Sequence, residues 1–316
     1  MRNAKQLSLL LCLAALTLAA QDTRLAGPVS GVLFDPRARA LRPVMGVLGA
    51  AYLGDALVAD LDFAAVSPDG KLAVVVRNER AALVRGLDNG RLEQAGLESA
   101  AGVTRASWSA DSTAVALWSG AGHLEVWAGL AASPRRTLAA DLDTLAAVAV
   151  ASEGRNAVAA SESGAIEMVS DGASRRLLSL DRAPALAMAG GDLYVADAAR
   201  NEIFALRNYA QAGDAQLFAN AARGVNDAAA LGISPDQRTL FVASRSGRSL
   251  TAFDLVSSEI RGVAELDFEP TSLERFTGSL YRLTSGGEGV PIQVLDSARA
   301  LAVYFVPAEP ASVVED

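Results

Sequence analysis

Short apolar runs separated by polar turns fill this chain from about residue 60 onward, and no segment shows the three-and-four spacing of a long amphipathic helix. The stretch 61–76, LDFAAVSPDGKLAVVV, displays the unit: small and β-branched residues run into Ser67-Pro68-Asp69-Gly70, and a second such run leaves it. Proline at the second turn position pre-sets φ, glycine suits the fourth, and the Ser and Asp side chains bond back to the local backbone, so the stretch predicts a β-hairpin. It returns at 228–244 as AAALGISPDQRTLFVAS.

The second strand of this unit starts at Leu72, Ala114, Ala157, Leu193, Thr239 and Leu280, at spacings of 42, 43, 36, 46 and 41 residues. Within each period a third run follows (at 81, 123, 165, 201, 249 and 291), and then a fourth. A period near forty with four short strands predicts an all-β chain folded as a β-propeller, with six full blades countable. The strand-turn-strand element at 31–47 reads as part of a seventh, degenerate first blade, completed by chain-terminal residues that close the ring; six blades with an extra hairpin is the alternative. Because the period crosses the middle of the chain without a linker, residues 21–310 are expected to form one domain, followed by a tail at 311–316.

With the repeat established, FAAVSPDGKLAVVV, GISPDQRTLFVAS and GGDLYVADAARNEIFALRN (190–208) resemble bacterial YVTN-type propeller repeats, which are WD-repeat-like; the last also resembles an NHL repeat. The resemblance spans roughly 60–306. It implies an extracytoplasmic binding or scaffold propeller, some relatives being lactonases or dehydrogenase subunits, and fold alone does not choose among these.

Composition narrows the setting. Residues 1–20, MRNAKQLSLLLCLAALTLAA, have the charged, apolar and small-residue parts of a secretory signal peptide, with a cut expected after Ala20. Removing them takes away Arg2, Lys5 and Cys12, the only cysteine, leaving 26 basic against 36 acidic side chains, a balance of −10. The expected product is a periplasmic or secreted monomer without a membrane span after cleavage, needing no disulfide. Its acidity and lack of a basic stripe exclude nucleic acid as a partner, and the expected partner is a protein, a glycan or a small ligand. Aromatics are only 5%, so the core must be built mainly from Ala, Val and Leu.

Reactive side chains are scarce. His123 is the only histidine and lies in a glycine-flanked turn, so a Ser-His-acid set has little to draw on, and a thiol-free mature chain cannot build a Cys/His zinc site. Trp108, Trp118 and Trp127 fall on successive strands of one repeat, as core packing or as an aromatic platform. Arg135-Arg136 and Arg175-Arg176 open outer strands, where charge blocks edge pairing. Acids recur just before the innermost strands, and Asp62, Asp143, Asp181, Asp227 and Asp267 are the candidate metal ligands, expected to make one channel mouth the most negative part of the surface, with Arg105 as internal neutraliser. The leading reading is a non-enzymatic binding or scaffold module without a cofactor. Its competitor is a metal-assisted hydrolase of lactonase-like type, in which these acids, with Asn226, Asn201 and Glu202 nearby, hold calcium or another divalent cation.

Overall fold

A computed structural model describes residues 28–99, 102–211, 213–285 and 292–307. The expected signal peptide and the tail at 311–316 lie outside the described residues. Second strands begin at Leu72, Ala114, Ala157, Thr239 and Leu280, as the repeat predicts, and the remaining one begins at Asp192, one residue early.

Blades II to VII (63–96, 105–141, 145–179, 186–219, 228–265 and 270–306) are four-stranded antiparallel sheets whose strands lie in chain order. Their first strands, from Phe63–Val66 to Pro270–Thr277, touch one another in turn, and the last returns to the first. Blade I has three strands, Val29–Asp35, Ala40–Met45 and Tyr52–Leu53, and Val29–Asp35 lies against the first strands of both blade II and blade VII. The chain is a seven-bladed β-propeller.

Backbone bonds define which positions blade I fills. In blades II, III, IV and VI the residue just after the outermost strand donates to the carbonyl just ahead of, or at the start of, the third: Leu97 to Ala81, Leu142 to Gly122, Leu180 to Gly164, Leu266 to Arg248. In blade I, Leu57 donates to Leu41 and Leu61 to Arg39 in the same way. Its strands therefore hold the second, third and outermost places, and among the described residues no strand of blade I holds the innermost one. Blade I is thus the degenerate one, with three strands among the described residues where the others have four.

Packing between blades follows the composition. Aromatics stack edge to face where they are available: Tyr194 on Phe218 at 5.2 Å and Phe218 on Phe253 at 5.9 Å join blades V and VI, and Phe241 on Tyr281 at 5.4 Å joins VI and VII. Where blades III and IV meet, the buried alanines Ala114, Ala116, Ala157 and Ala159 are interleaved with larger groups, among them Trp118, Leu124, Val126 and Val148.

The Ser-Pro-Asp-Gly turn has a definite job. Ser67 Oγ donates to Asp69 Oδ1 at 2.6 Å and accepts from Leu72 N at 3.0 Å, so one hydroxyl ties the turn to the start of the second strand. Ser234 does the same with Asp236 and Thr239. A third copy, Ser109-Ala110-Asp111-Ser112, has neither proline nor glycine but keeps both bonds, Ser109 to Asp111 at 2.7 Å and Ala114 N to Ser109 at 3.0 Å. Neighbouring turns are also linked: Asp69 N donates to Ser112 Oγ, Glu153 N to Thr113 Oγ1 and Gly190 N to Gln237 Oε1.

The Ser234 hydroxyl, ahead of opposing burial, holds the Asp236 carboxyl below its ordinary range. At Asp111 burial pushes upward, but bonds from Ser109, Thr113 and Ser152 outweigh it and the carboxyl again lies low. Ser109 is fully buried, so Ser109→Ala leaves Ala114 N–H without its side-chain acceptor and is expected to cost about 1–3 kcal/mol. Urea unfolding at neutral pH checks this. A carboxyl with a lowered folded-state pKa contributes stability above its unfolded value and loses it as pH falls through the folded one, so the penalty should shrink in strong acid.

Candidate functional site

The innermost strands enclose a central cavity of about 330 Å³, walled mainly by apolar groups including Leu33, Phe34, Phe63, Leu186, Met188 and Leu273. A volume at the lower end of small-molecule sites suits a ligand of modest size. Trp108 and Trp118 both reach this wall, so two of the three tryptophans face the channel while the third, Trp127, is buried between blades II and III. Trp108 also donates from Nε1 to Ala65 O at 3.2 Å, joining blade III to blade II.

Four charged side chains line the cavity: Arg105, Arg275, Arg282 and Glu274. Arg105 lies over the Trp118 ring at 4.9 Å and donates to Ala146 O at 3.2 Å. Arg275, on the innermost strand of blade VII, reaches across to Ala110 O in the blade III turn at 2.5 Å. Beside it, burial raises the Tyr281 hydroxyl to about 12 against the opposing pull of Arg275, and that hydroxyl donates to Ile233 O at 2.6 Å. Arg282 faces Glu274 across the ladder with 4.0 Å between their charged atoms. The cavity thus holds three guanidinium groups against one carboxylate. Trp118 Nε1, Arg275 Nε and Arg282 Nε, all on cavity-lining side chains, are buried donors without a hydrogen-bond partner among the described residues.

The predicted acidic residues fall where the repeat places them but have a different chemistry. Asp62 and Asp227 directly precede innermost strands, and Asp143, Asp181 and Asp267 lie within five residues of theirs. Arginines from neighbouring turns and loops pair with three of them: Arg39 with Asp62 at 2.5 Å, Arg200 with Asp181 at 2.8 Å, and Arg182 and Arg245 with Asp227 at 2.5 and 3.4 Å. Asp143 and Asp267 are exposed. Asn201 does meet Asp227, through its Oδ1 and the Asp227 N–H at 2.6 Å, so that reading of proximity holds. Among the described residues no three His, Cys, Asp or Glu side chains stand together as a shared cation would need. Arg105 sits on Trp118 rather than among the acidic loops.

His123, expected in a turn from its flanking glycines, instead opens the third strand of blade III, and both ring nitrogens have partners. Its Nδ1 lies 2.7 Å from Asp141 Oδ1 and its Nε2 3.4 Å from Glu125 Oε1. Glu125, 1% exposed, also accepts from Arg136 Nη1 at 2.7 Å and Trp127 Nε1 at 3.3 Å. Arg136 and Arg175, expected as edge charges, both make bonds, the latter to the Tyr209 and Ala210 carbonyls of the next blade. No spacing along the chain signalled the arginine-lined cavity, because its four charged groups come from blades III and VII and meet only in the closed ring.

No family model matches the chain, and no curated protein matches it. Among solved structures, 1707 chains match. One is a functionally unknown protein from Desulfotomaculum acetoxidans DSM 771, 13% identical, with a TM-score of 0.64, covering 87% of this chain and 94% of its own. At that identity the likeness is one of fold. A fold this widely shared leaves function to the site.

Proposed function

We propose that this chain is an exported, non-catalytic binding module whose central cavity takes a small organic anion with an apolar body. The observation that carries the reading is the cavity's composition: apolar walls and two tryptophans, with three arginines against a single carboxylate. Guanidinium groups bind carboxylates through paired N–H donors, and an apolar surround strengthens each such bond. Arginine pairing also weighs against the hydrolase reading, since three of the five candidate metal ligands are already neutralised. The leader at 1–20 and the YVTN- and NHL-like repeats support export and a binding role.

Calorimetric titration with phenylacetate and with its neutral isostere phenylacetamide tests the reading. A charge-assisted hydrogen bond is worth about 1.5–3 kcal/mol, so the carboxylate should bind roughly 10- to 100-fold more tightly. Arg282→Gln should remove most of that preference. Equal binding of the two probes, or none of either, would overturn the assignment.

A further inference from the structure

We infer, resting on the proposed function, that the ligand of this cavity is a dicarboxylate with its two charges at opposite ends of an apolar spacer, one held by Arg105 and the other by Arg275 and Arg282. Pairing within the blades supplies the geometry, because an innermost-strand residue is placed along the channel by the second-strand residue it faces. Arg275 faces Tyr281, the second residue of its second strand, and Arg105 faces Trp118, the fifth residue of its own. Three residues of strand span about 10 Å along the channel.

The side chains keep that separation. Arg105 donates to Ala146 O, and Ala146 follows Leu145, which faces Ser161, again the fifth residue of its second strand. Arg275 turns the other way, to Ala110 O in the turn beyond Trp108. Between these two levels the wall is apolar: Leu231 and Leu273 both line the cavity and face the fourth residues of their second strands, Val242 and Leu283. Along the channel the lining therefore runs charged, apolar, charged.

Charge and hydrogen bonding divide the same way. At the Arg275 end two guanidinium groups stand against Glu274, which lies 4.0 Å from Arg282, so one positive charge is left over. At the other end Arg105 supplies one more, with no carboxylate among the cavity-lining residues beside it. A ligand with a single carboxylate compensates one end only, whereas two carboxylates compensate both. Each end also carries buried donors without a partner among the described residues, Trp118 Nε1 across the ladder from Arg105, and Arg275 Nε with Arg282 Nε. Buried donors are ordinarily paired, so acceptors are called for at both ends.

Calorimetric titration at neutral pH with three acids tests this: p-phenylenediacetate, p-tolylacetate, which keeps the ring and one carboxylate, and phenylmalonate, which carries both carboxylates at one end. The phenylenediacetate should bind roughly 10- to 100-fold more tightly than p-tolylacetate, the gain of one further charge-assisted hydrogen bond. Phenylmalonate cannot reach both ends and should bind at least roughly 5-fold more weakly than phenylenediacetate. Arg105→Gln should bring phenylenediacetate to within about 2-fold of p-tolylacetate. Equal binding of those two acids by the wild type would overturn the inference, and so would a gain that survives Arg105→Gln. Phenylmalonate matching phenylenediacetate would overturn it too, since charge number and not spacing would then be what the cavity reads. If the variant does not fold, the wild-type comparisons decide alone. A preference for phenylacetate over phenylacetamide with no gain for phenylenediacetate sinks the dicarboxylate alone, and no binding of any of these acids sinks the proposed function with it.

Discussion

Gly164→Ala is expected to destabilise the protein by roughly 3 kcal/mol, combining the left-handed backbone penalty with an overpacking cost. Its φ is +86°, and a Cβ there would stand 1.9 Å from Leu180 O. That carbonyl belongs to the chain leaving the outermost strand, whose neighbouring Leu180 N–H already donates to Gly164 O, so the backbone cannot retreat without breaking the ladder. Gly172 is the control, with a φ of +76° and nothing within 4 Å of an added Cβ. Gly172→Ala should cost only the conformational part, about 1 kcal/mol. At about 2–4 °C per kcal/mol for a domain of this size class, the two variants should lie several degrees apart in Tm. Equal losses would show that the outermost strand yields to the methyl group.

Arg136→Met should cost about 3 kcal/mol at pH 8, because it leaves the buried Glu125 carboxylate with a partner removed. At pH 5.5 the loss should be smaller. The hydrogen bond to the Asp141 carboxylate chiefly, against opposing burial and with help from Glu125, raises His123 above its ordinary pKa. A raised folded-state value means that the stability contributed by protonated His123 is fully present below about 6.5 and is lost as pH rises through the folded value. In acid the imidazolium therefore stands in as a second cation 3.4 Å from Glu125. Adding His123→Gln should make the Arg136→Met loss the same at both pH values. Urea unfolding at pH 5.5 and 8 measures both, and a loss already independent of pH in the single variant would remove His123 from this cluster's energetics.

The blade pattern was legible because a hairpin that recurs every forty residues is a local signal repeated six times. Five of the six second-strand starts coincide with the sequence reading, and the sixth shifts to Asp192 because that residue pairs with Ala189 across a two-glycine turn. The Ser109 turn was harder to see, since the Ser-to-Asp and Ser-to-backbone bonds survive without the proline and glycine that mark the other copies. The acidic loops were legible as positions and not as chemistry. Whether Asp227 meets a cation or Arg182 depends on a residue 45 positions away, and an arginine excess spread along the chain gives no hint of which carboxylate each one will find. The cavity charges were invisible for the same reason, with Arg275 and Ala110 165 residues apart.

The buried alanines where blades III and IV meet limit what the sequence can become. Ala114, Ala116 and Ala157 are wholly buried, so a larger side chain there costs about 1–3 kcal/mol in overpacking, and glycine gives up roughly 0.5–1 kcal/mol through backbone entropy in addition to the lost methyl contact. Only a few small residues can therefore exchange at these sites, and those exchanges are common in any alanine-rich chain. Descendants of this protein can diverge at surfaces and loops while their blade spacing stays nearly fixed, so shape would outlast sequence as the record of their ancestry.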